Sequence, residues 1–319
     1  MSGAAACGAA IKADGYGVGA REVAVRLREA GCADFFVATW PEAEALADLR
    51  LPLAVLHGVR EEDMAAARSN IARPVLNTAQ QVKRWRDAGG GACDVMVDTG
   101  MNRLGVAADE VRSGLLDGLE IDTLMSHLAS ADEDVAQNIR QRDALAVLAG
   151  KTSAKRMSLA NSAGIALGAA YAFDLTRPGL ALYGGVPRGE FAGSIRQVVT
   201  PEAQILQRRT LPAGDTIGYN AIYTAGHDTE VAILNLGYAD GYFRGFSNTG
   251  AALADGKRLP VIGRVSMDLV AVDVSALPSL AEGDWLALDF ALPEAAAASG
   301  MSQYELLTSL GSRFDRIWS

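Results

Sequence analysis

The sequence predicts a (β/α)8 TIM barrel followed by a mostly β C-terminal domain, an α/β class that rests on three observations. Residues 4 to about 185 repeat one theme, a short apolar β-rich run and then an Ala-, Glu- and Arg-rich stretch of helical spacing. The theme recurs eight times, which fits a closed parallel barrel better than an open sheet. After Gly185 the texture changes to longer alternating segments separated by turn residues.

Taken in order, the predicted strands are 9–12, 35–39, 53–58, 74–77, 94–98, 121–127, 156–160 and 174–177. Helical spacing over 20–30, 42–49, 62–69, 79–88 and 135–149 fills gaps between them. The alternating segments 202–211, 229–236, 258–273 and 284–290 predict strands of the second domain, and 302–310 a final helix ahead of GSRFDR. The Gly- and Pro-containing stretch 186–194 is the expected boundary, dividing the chain into 1–190 and 191–319.

Length and composition agree. The chain has 319 residues, 50% of them hydrophobic, more than one modest core requires. Its apolar runs fall far short of the roughly 20 residues that cross a bilayer. Residues 1–10 are small and apolar but carry no basic residue, so they do not read as a signal peptide, and a cytoplasmic location is expected. Cys7, Cys32 and Cys93 are too scattered for a disulfide framework or a zinc site. A formal charge of −9 opposes binding to nucleic acid.

In a barrel of this kind the functional groups project from the C-terminal ends of the strands. Here those positions are unusually polar: Lys12, Asn77, Arg103 just beyond its strand, His127, Asn161 with Ser162, and Arg177. Singly, each has a plainer reading as a helix cap or turn residue; six at one rim favour a site. Lys12 follows the apolar run 8–11 and precedes Asp14-Gly15-Tyr16-Gly17. An amine at a barrel mouth is open to desolvation and can form a Schiff base, although a solvated lysine is the commoner outcome.

The segment IKADGYGVG resembles the pyridoxal-phosphate lysine motif of the alanine racemase family. DTGMNRLGV (98–106), SHLASADE (126–133), LANSAG (159–164) and RPGLALYGG (177–185) follow in the family's order, and the second domain adds IGYNAIYTA, GYADGY and GRVSMD. The resemblance spans nearly the whole chain and implies pyridoxal 5'-phosphate as cofactor and L- and D-alanine as substrates, with D-alanine serving peptidoglycan synthesis or alanine catabolism.

It also implies roles. Lys12 holds the cofactor and is the base for the D enantiomer, and Tyr219 is the opposite-face base for the L enantiomer. A phenol with a usual pKa of about 10 needs a neighbour to take its proton, and His127 is the candidate, unless it is a hydrogen-bonded core histidine. Arg177 faces the pyridine nitrogen, where its permanent charge disfavours ring protonation; binding a surface carboxylate is the alternative. Tyr16, Asn161, Ser162 and the backbone at Gly179 and Leu180 serve the cofactor. Arg103 and the Met267 N–H take the substrate carboxylate, while Met267, Tyr238 and Asp268 border or narrow the entrance. Tyr219 is implied to complete the partner subunit's site in a head-to-tail homodimer. Met96 stands where some members carry a carbamylated lysine that orients the carboxylate arginine, and Ser312 where some have a phosphate-binding tyrosine. The family has a further strand and helix before the lysine strand, and without them barrel and β-domain surface is expected to lie uncovered. A cofactor carrier on the same barrel has no use for a second domain or for Tyr219, and both are present.

Overall fold

The first run of chain is the one that closes the barrel. In the computed structural model, which describes residues 1–319, β1 (Ala6–Cys7) and β2 (Ala9–Ala10) are separated only by Gly8. They are followed by β3 (Phe35–Val37), β4 (Leu53–Val55), β5 (Arg73–Leu76), β6 (Cys93–Asp98), β7 (Val106–Ala107), β8 (Ile121–Met125), β9 (Arg156–Ser158) and β10 (Leu175–Thr176). Neighbours pair in parallel in the order β1-β10-β9-β8-β6-β5-β4-β3-β2. Gly8 N–H donates to Thr176 O at 2.9 Å, while Ala9 N–H donates to Asp34 O at 2.8 Å. Residues 6–10 thus join the two ends of the sheet.

Each expected barrel strand overlaps an observed one; six are shorter than expected, while β5 and β6 start one residue earlier. Two differences matter. The first strand starts at Ala6 and is over before Lys12, which opens a turn instead. The two-residue β7 lies beside β6 and was too short to leave a periodic signal. Among the helices, Ala20–Glu29, Ala79–Asp87 and Ala136–Ala146 match their spacing, whereas 42–49 becomes helix Trp40–Glu44 plus a 3-10 turn Ala47–Leu49, and 62–69 shrinks to Met64–Ala67. Helix Trp40–Glu44 starts early because Thr39 and Glu42 form a capping box and Pro41 occupies the first turn.

Phe36, Ala54, Val75, Met96, Met125 and Leu175, each from a different strand, form one interior layer of the barrel. At the N-terminal ends of the strands this layer gives way to ions. Arg156 reaches Asp34 at 2.7 Å and Asp122 at 2.6 Å, and Arg73 lies 3.4 Å from both Asp94 and Asp122. This end of a barrel carries stability; the opposite rim carries chemistry.

Contact grouping separates one unit, Met1–Leu182 with Pro187–Ser194, from another, Tyr183–Val186 with Ile195–Ser319. The second is a closed antiparallel barrel of β11 (Glu202–Leu211), β12 (Thr229–Leu234), β13 (Ala251–Ala254), β14 (Lys257–Ile262), β15 (Val270–Asp273) and β16 (Trp285–Leu288). The run 258–273, expected as one segment, is two strands. Gly263 turns the chain at φ +73°, where a Cβ would meet Ile217 O at 2.8 Å, and Ser266 Oγ closes the next turn by accepting Leu269 N–H at 3.1 Å. Sequence reading missed β13, whose residues AALA lack β-branching, and helix Leu292–Ser299, whose Ala-rich stretch has weak polarity contrast. The final helix, Gln303–Thr308, falls within 302–310 and is capped by Ser302 and Glu305.

Candidate active site

Lys12 follows the buried Ile11 and starts a left-handed turn: Ala13, Asp14, Gly15 and Tyr16 have φ of 54°, 51°, 59° and 56°. This conformation costs an L-residue roughly 1–2 kcal/mol, so something must hold it. Gly15 N–H donates to Ile11 O at 2.9 Å and Gly17 N–H to Ala13 O at 2.8 Å; Asp14 Oδ1 accepts Ala20 N–H at 2.9 Å. Glu42 clamps the turn from outside. Its Oε1 accepts Ala13 N–H at 2.8 Å while its Oε2 accepts Ala38 N–H at 2.6 Å. Burial, and then the charge of Arg103, lowers the Lys12 pKa, with Glu42 opposing them.

His127 shares the influence of Arg103. Burial first, then Arg177, Arg103 and Lys12, push it down to about 3, so the imidazole is neutral. Arg103 is exposed on a loop built by Asp98, whose Oδ1 accepts the N–H groups of Gly100, Met101 and Asn102 at 2.8, 3.0 and 3.1 Å. Met96 is buried in the apolar interior layer.

Arg177 is buried across the barrel. It donates to Ser126 O at 2.6 Å and to Ser158 Oγ, and lies over the Phe36 ring at 5.9 Å. Burial lowers it to about 10 with Asp94 opposing, so it stays charged near neutrality. Its acceptors are a carbonyl and a hydroxyl.

Close by, Ser162 Oγ accepts Gly179 N–H at 3.0 Å and Ala181 N–H at 3.2 Å. A Cβ on Gly179 would lie 2.1 Å from Tyr16 Oη, so only glycine leaves this cradle open. The backbone donors meeting Ser162 are therefore those of 179 and 181; Leu180 is buried at the start of the 3-10 turn Leu180–Tyr183. Asn161 acts as a cap, its Oδ1 accepting Gly164 N–H at 2.8 Å.

Asn77, the other rim residue, is buried with its Nδ2 donating to Leu56 O at 3.0 Å and Val75 O at 2.7 Å; the remaining predicted residues belong to the second unit. Tyr219, 66% exposed, stands on a loop whose ends pair at Thr216 and Thr224, with Gly218, Asn220 and Ala221 at φ of 77°, 62° and 48°. GYADGY and GRVSMD are stitched together: Tyr238 N–H donates to Ser266 O and Ala239 N–H to Met267 O, both at 3.0 Å. A Cβ on Gly237 would fall 2.3 Å from Met267 O. Tyr238 borders a cavity of about 430 Å³ with Phe243, Arg244, Gly245 and Met301, and the Arg244 guanidinium sits 5.2 Å from its ring centre. Met267 is exposed, and Asp268 is paired with Arg313 at 2.8 Å, next to Ser312.

The first unit thus gathers Lys12, Tyr16, Arg103, His127, Ser162, Arg177 and Gly179; the second gathers Tyr238, Met267 and Asp268, with Tyr219 on its own exposed loop. The family of the chain follows from comparison. Its residues 1–187 match the alanine racemase N-terminal domain and residues 198–318 the alanine racemase C-terminal domain. The chain belongs to the alanine racemase family. It is 42% identical to the alanine racemase of Acidiphilium cryptum over 96% of this chain and 90% of that protein. With a catabolic alanine racemase of Agrobacterium fabrum it shares 40% over 99% and 86%. Among solved structures, an alanine racemase from Bartonella henselae with covalently bound pyridoxal phosphate superposes with a TM-score of 0.90 at 33% identity, covering 99% of this chain and 93% of that one. A biosynthetic alanine racemase from Pseudomonas aeruginosa gives 0.88 at 31%, covering 99% and 92%.

Three residues of this racemase-family barrel escaped sequence reading. Glu42 was legible in part, through the T-x-x-E spacing from Thr39 that marks a helix start. Asp98 reads as an ordinary loop acid. Gln141 gave no signal, because two of its three bonds are to backbone atoms of a segment 12 to 14 residues away.

Proposed function

We propose that this chain is a pyridoxal-phosphate-dependent alanine racemase that interconverts L- and D-alanine from two opposed bases. One observation carries the reading: a lysine amine of lowered pKa, an open glycine cradle and a buried arginine bonded to neutral oxygens lie in one barrel. These residues fit the cofactor. Tyr16, Ser162 and the Gly179 N–H suit a phosphate, with Leu180 beside them, and Asn161 supports the segment as a cap. Arg177 suits an unprotonated ring nitrogen, since a permanent cation opposes a second charge beside it.

When bound, pyridoxal phosphate supplies an electron sink that makes the α proton of an amino acid removable. The chain supplies the rest. Lys12 would hold the cofactor through Nζ, and its free amine would move a proton at the substrate α-carbon on the face of the D enantiomer. Its lowered pKa keeps a larger fraction of the amine free for this. Tyr219 moves the proton on the other face; neutral His127 offers a ring nitrogen for a hydrogen bond, but its depressed pKa opposes taking the phenolic proton outright. Arg103 and the Met267 N–H hold the substrate carboxylate, with Tyr238 and Asp268 at the border. The exposure of Tyr219 supports a head-to-tail homodimer in which it acts in the partner subunit's site.

Complementation tests both parts. Lys12→Ala and Tyr219→Ala proteins should each lack racemase activity, and mixing them under conditions of subunit exchange should restore up to about a quarter of the wild-type rate, because only one site of each heterodimer is whole. Exchange without recovery refutes shared sites; an active Lys12→Ala protein refutes the reading itself.

A further inference from the structure

Arg103 has to be aimed, and its aim is inherited from its loop. Met96 has no charge to brace a guanidinium and is occupied in the apolar layer. The loop is instead fastened to helix Ala136–Ala146. Gln141, 1% exposed, has both ends of its amide engaged. Oε1 accepts Ala129 N–H at 2.9 Å, and Nε2 donates to His127 O at 2.9 Å and to Thr99 Oγ1 at 3.4 Å. Thr99 Oγ1 lies 2.7 Å from Ser126 Oγ, and Ser126 O is the acceptor of Arg177.

One turn earlier on the same helix face, Gln137 repeats the device. Its Nε2 donates to Gly100 O at 3.2 Å and its Oε1 accepts Ser130 Oγ–H at 3.1 Å. Gly100, at φ +122°, turns the chain so that a Cβ there would rest 3.9 Å from Gln141 Cγ. Each glutamine therefore bridges the segment leading to Arg103 and the segment carrying His127. A buried amide left without these bonds is unfavourable, so the two segments hold a single register while the helix is in place.

We propose that Gln141, with Gln137 one turn away, is a positioning residue that sets where Arg103 meets the substrate carboxylate relative to His127. The inference rests on the assignment of the carboxylate to Arg103 made above. Neither glutamine touches the cradle of Tyr16, Ser162 and Gly179, and Gln141 reaches Arg177 only indirectly through Thr99 and Ser126, so the first effect of losing it falls on substrate placement rather than on cofactor binding.

The test uses the cofactor-loaded enzyme with Gln141→Met, Gln137→Ala and Arg103→Lys, each assayed from L- and D-alanine and by the absorbance of the lysine-bound cofactor. Displacing a binding group by about an ångström is enough to cost an enzyme up to roughly 100-fold. Gln141→Met should raise KM in both directions about tenfold, Gln137→Ala a few-fold, each with a smaller change in kcat and an unchanged cofactor band. Combined with Arg103→Lys, Gln141→Met should raise KM little further, since it acts through that arginine. A lowered Tm with unchanged KM, or a KM effect that multiplies fully with that of Arg103→Lys, overturns the proposal. If Gln141→Met does not fold, Gln137→Ala decides, and an unchanged KM there overturns it. If Arg103→Lys alone leaves KM unchanged, the carboxylate assignment falls first and takes this inference with it.

Discussion

Gly179→Ala should weaken cofactor binding without unfolding the barrel. The glycine does not occupy a left-handed conformation, so alanine is acceptable to the backbone and the effect is steric. The added methyl would lie 2.1 Å from Tyr16 Oη, 2.7 Å from its Cζ and 3.2 Å from its Cε2, where ordinary contact begins near 3.4 Å. The hydroxyl must retreat by more than an ångström. It cannot do so by free rotation, because Tyr16 is 7% exposed and held at φ 56° in the turn that Glu42 clamps. Overpacking of this kind costs about 1–3 kcal/mol. Directed at the cradle, that is a weakening of pyridoxal phosphate affinity by about 5- to 150-fold. Titration of the apoenzyme with cofactor, read by absorbance, measures it. Tyr16→Phe removes the closest atom, so in a double-mutant cycle the combined loss should be smaller than the sum of the two. An affinity within about twofold of wild type for Gly179→Ala, or two strictly additive losses, would refute the cradle.

Two pH predictions have opposite signs. Burial pushes the Asp94 carboxyl up to about 6 against the pull of Arg73; the folded value exceeds the unfolded one, so its stabilising contribution is full at low pH and is lost as pH rises through about 6. The difference in urea-unfolding free energy between wild type and Asp94→Asn should change between about pH 4 and 6.5 and level off above it; a constant difference sinks the argument. His127 is displaced the other way, so its contribution is present above the unfolded value of 6.5 and is lost as pH falls toward about 3. By NMR its ring should keep a neutral imidazole signature down to about pH 5, and a midpoint near 6.5 would show that it is neither buried nor surrounded by cations.

The sequence by itself determined most of the barrel elements and which residues were candidates for the site. Apolar runs at strand spacing and polar residues at their ends depend only on local order along the chain, so the barrel strands and Lys12, His127, Ser162 and Arg177 were all legible. What remained hidden was of two kinds. Segments with little contrast, β13 with its AALA and helix Leu292–Ser299, bury too few distinctive side chains to set a period. Relations between distant segments leave no periodicity at all. Only the tertiary structure decided that residues 6–10 close the barrel, that Lys12 heads a left-handed turn held by Glu42, and that Gln141 ties the loops of Arg103 and His127. The physical reason is the same throughout. Hydrophobic periodicity records which face of an element is buried, whereas a hydrogen bond to backbone is blind to the partner's side chain and leaves no trace in its sequence.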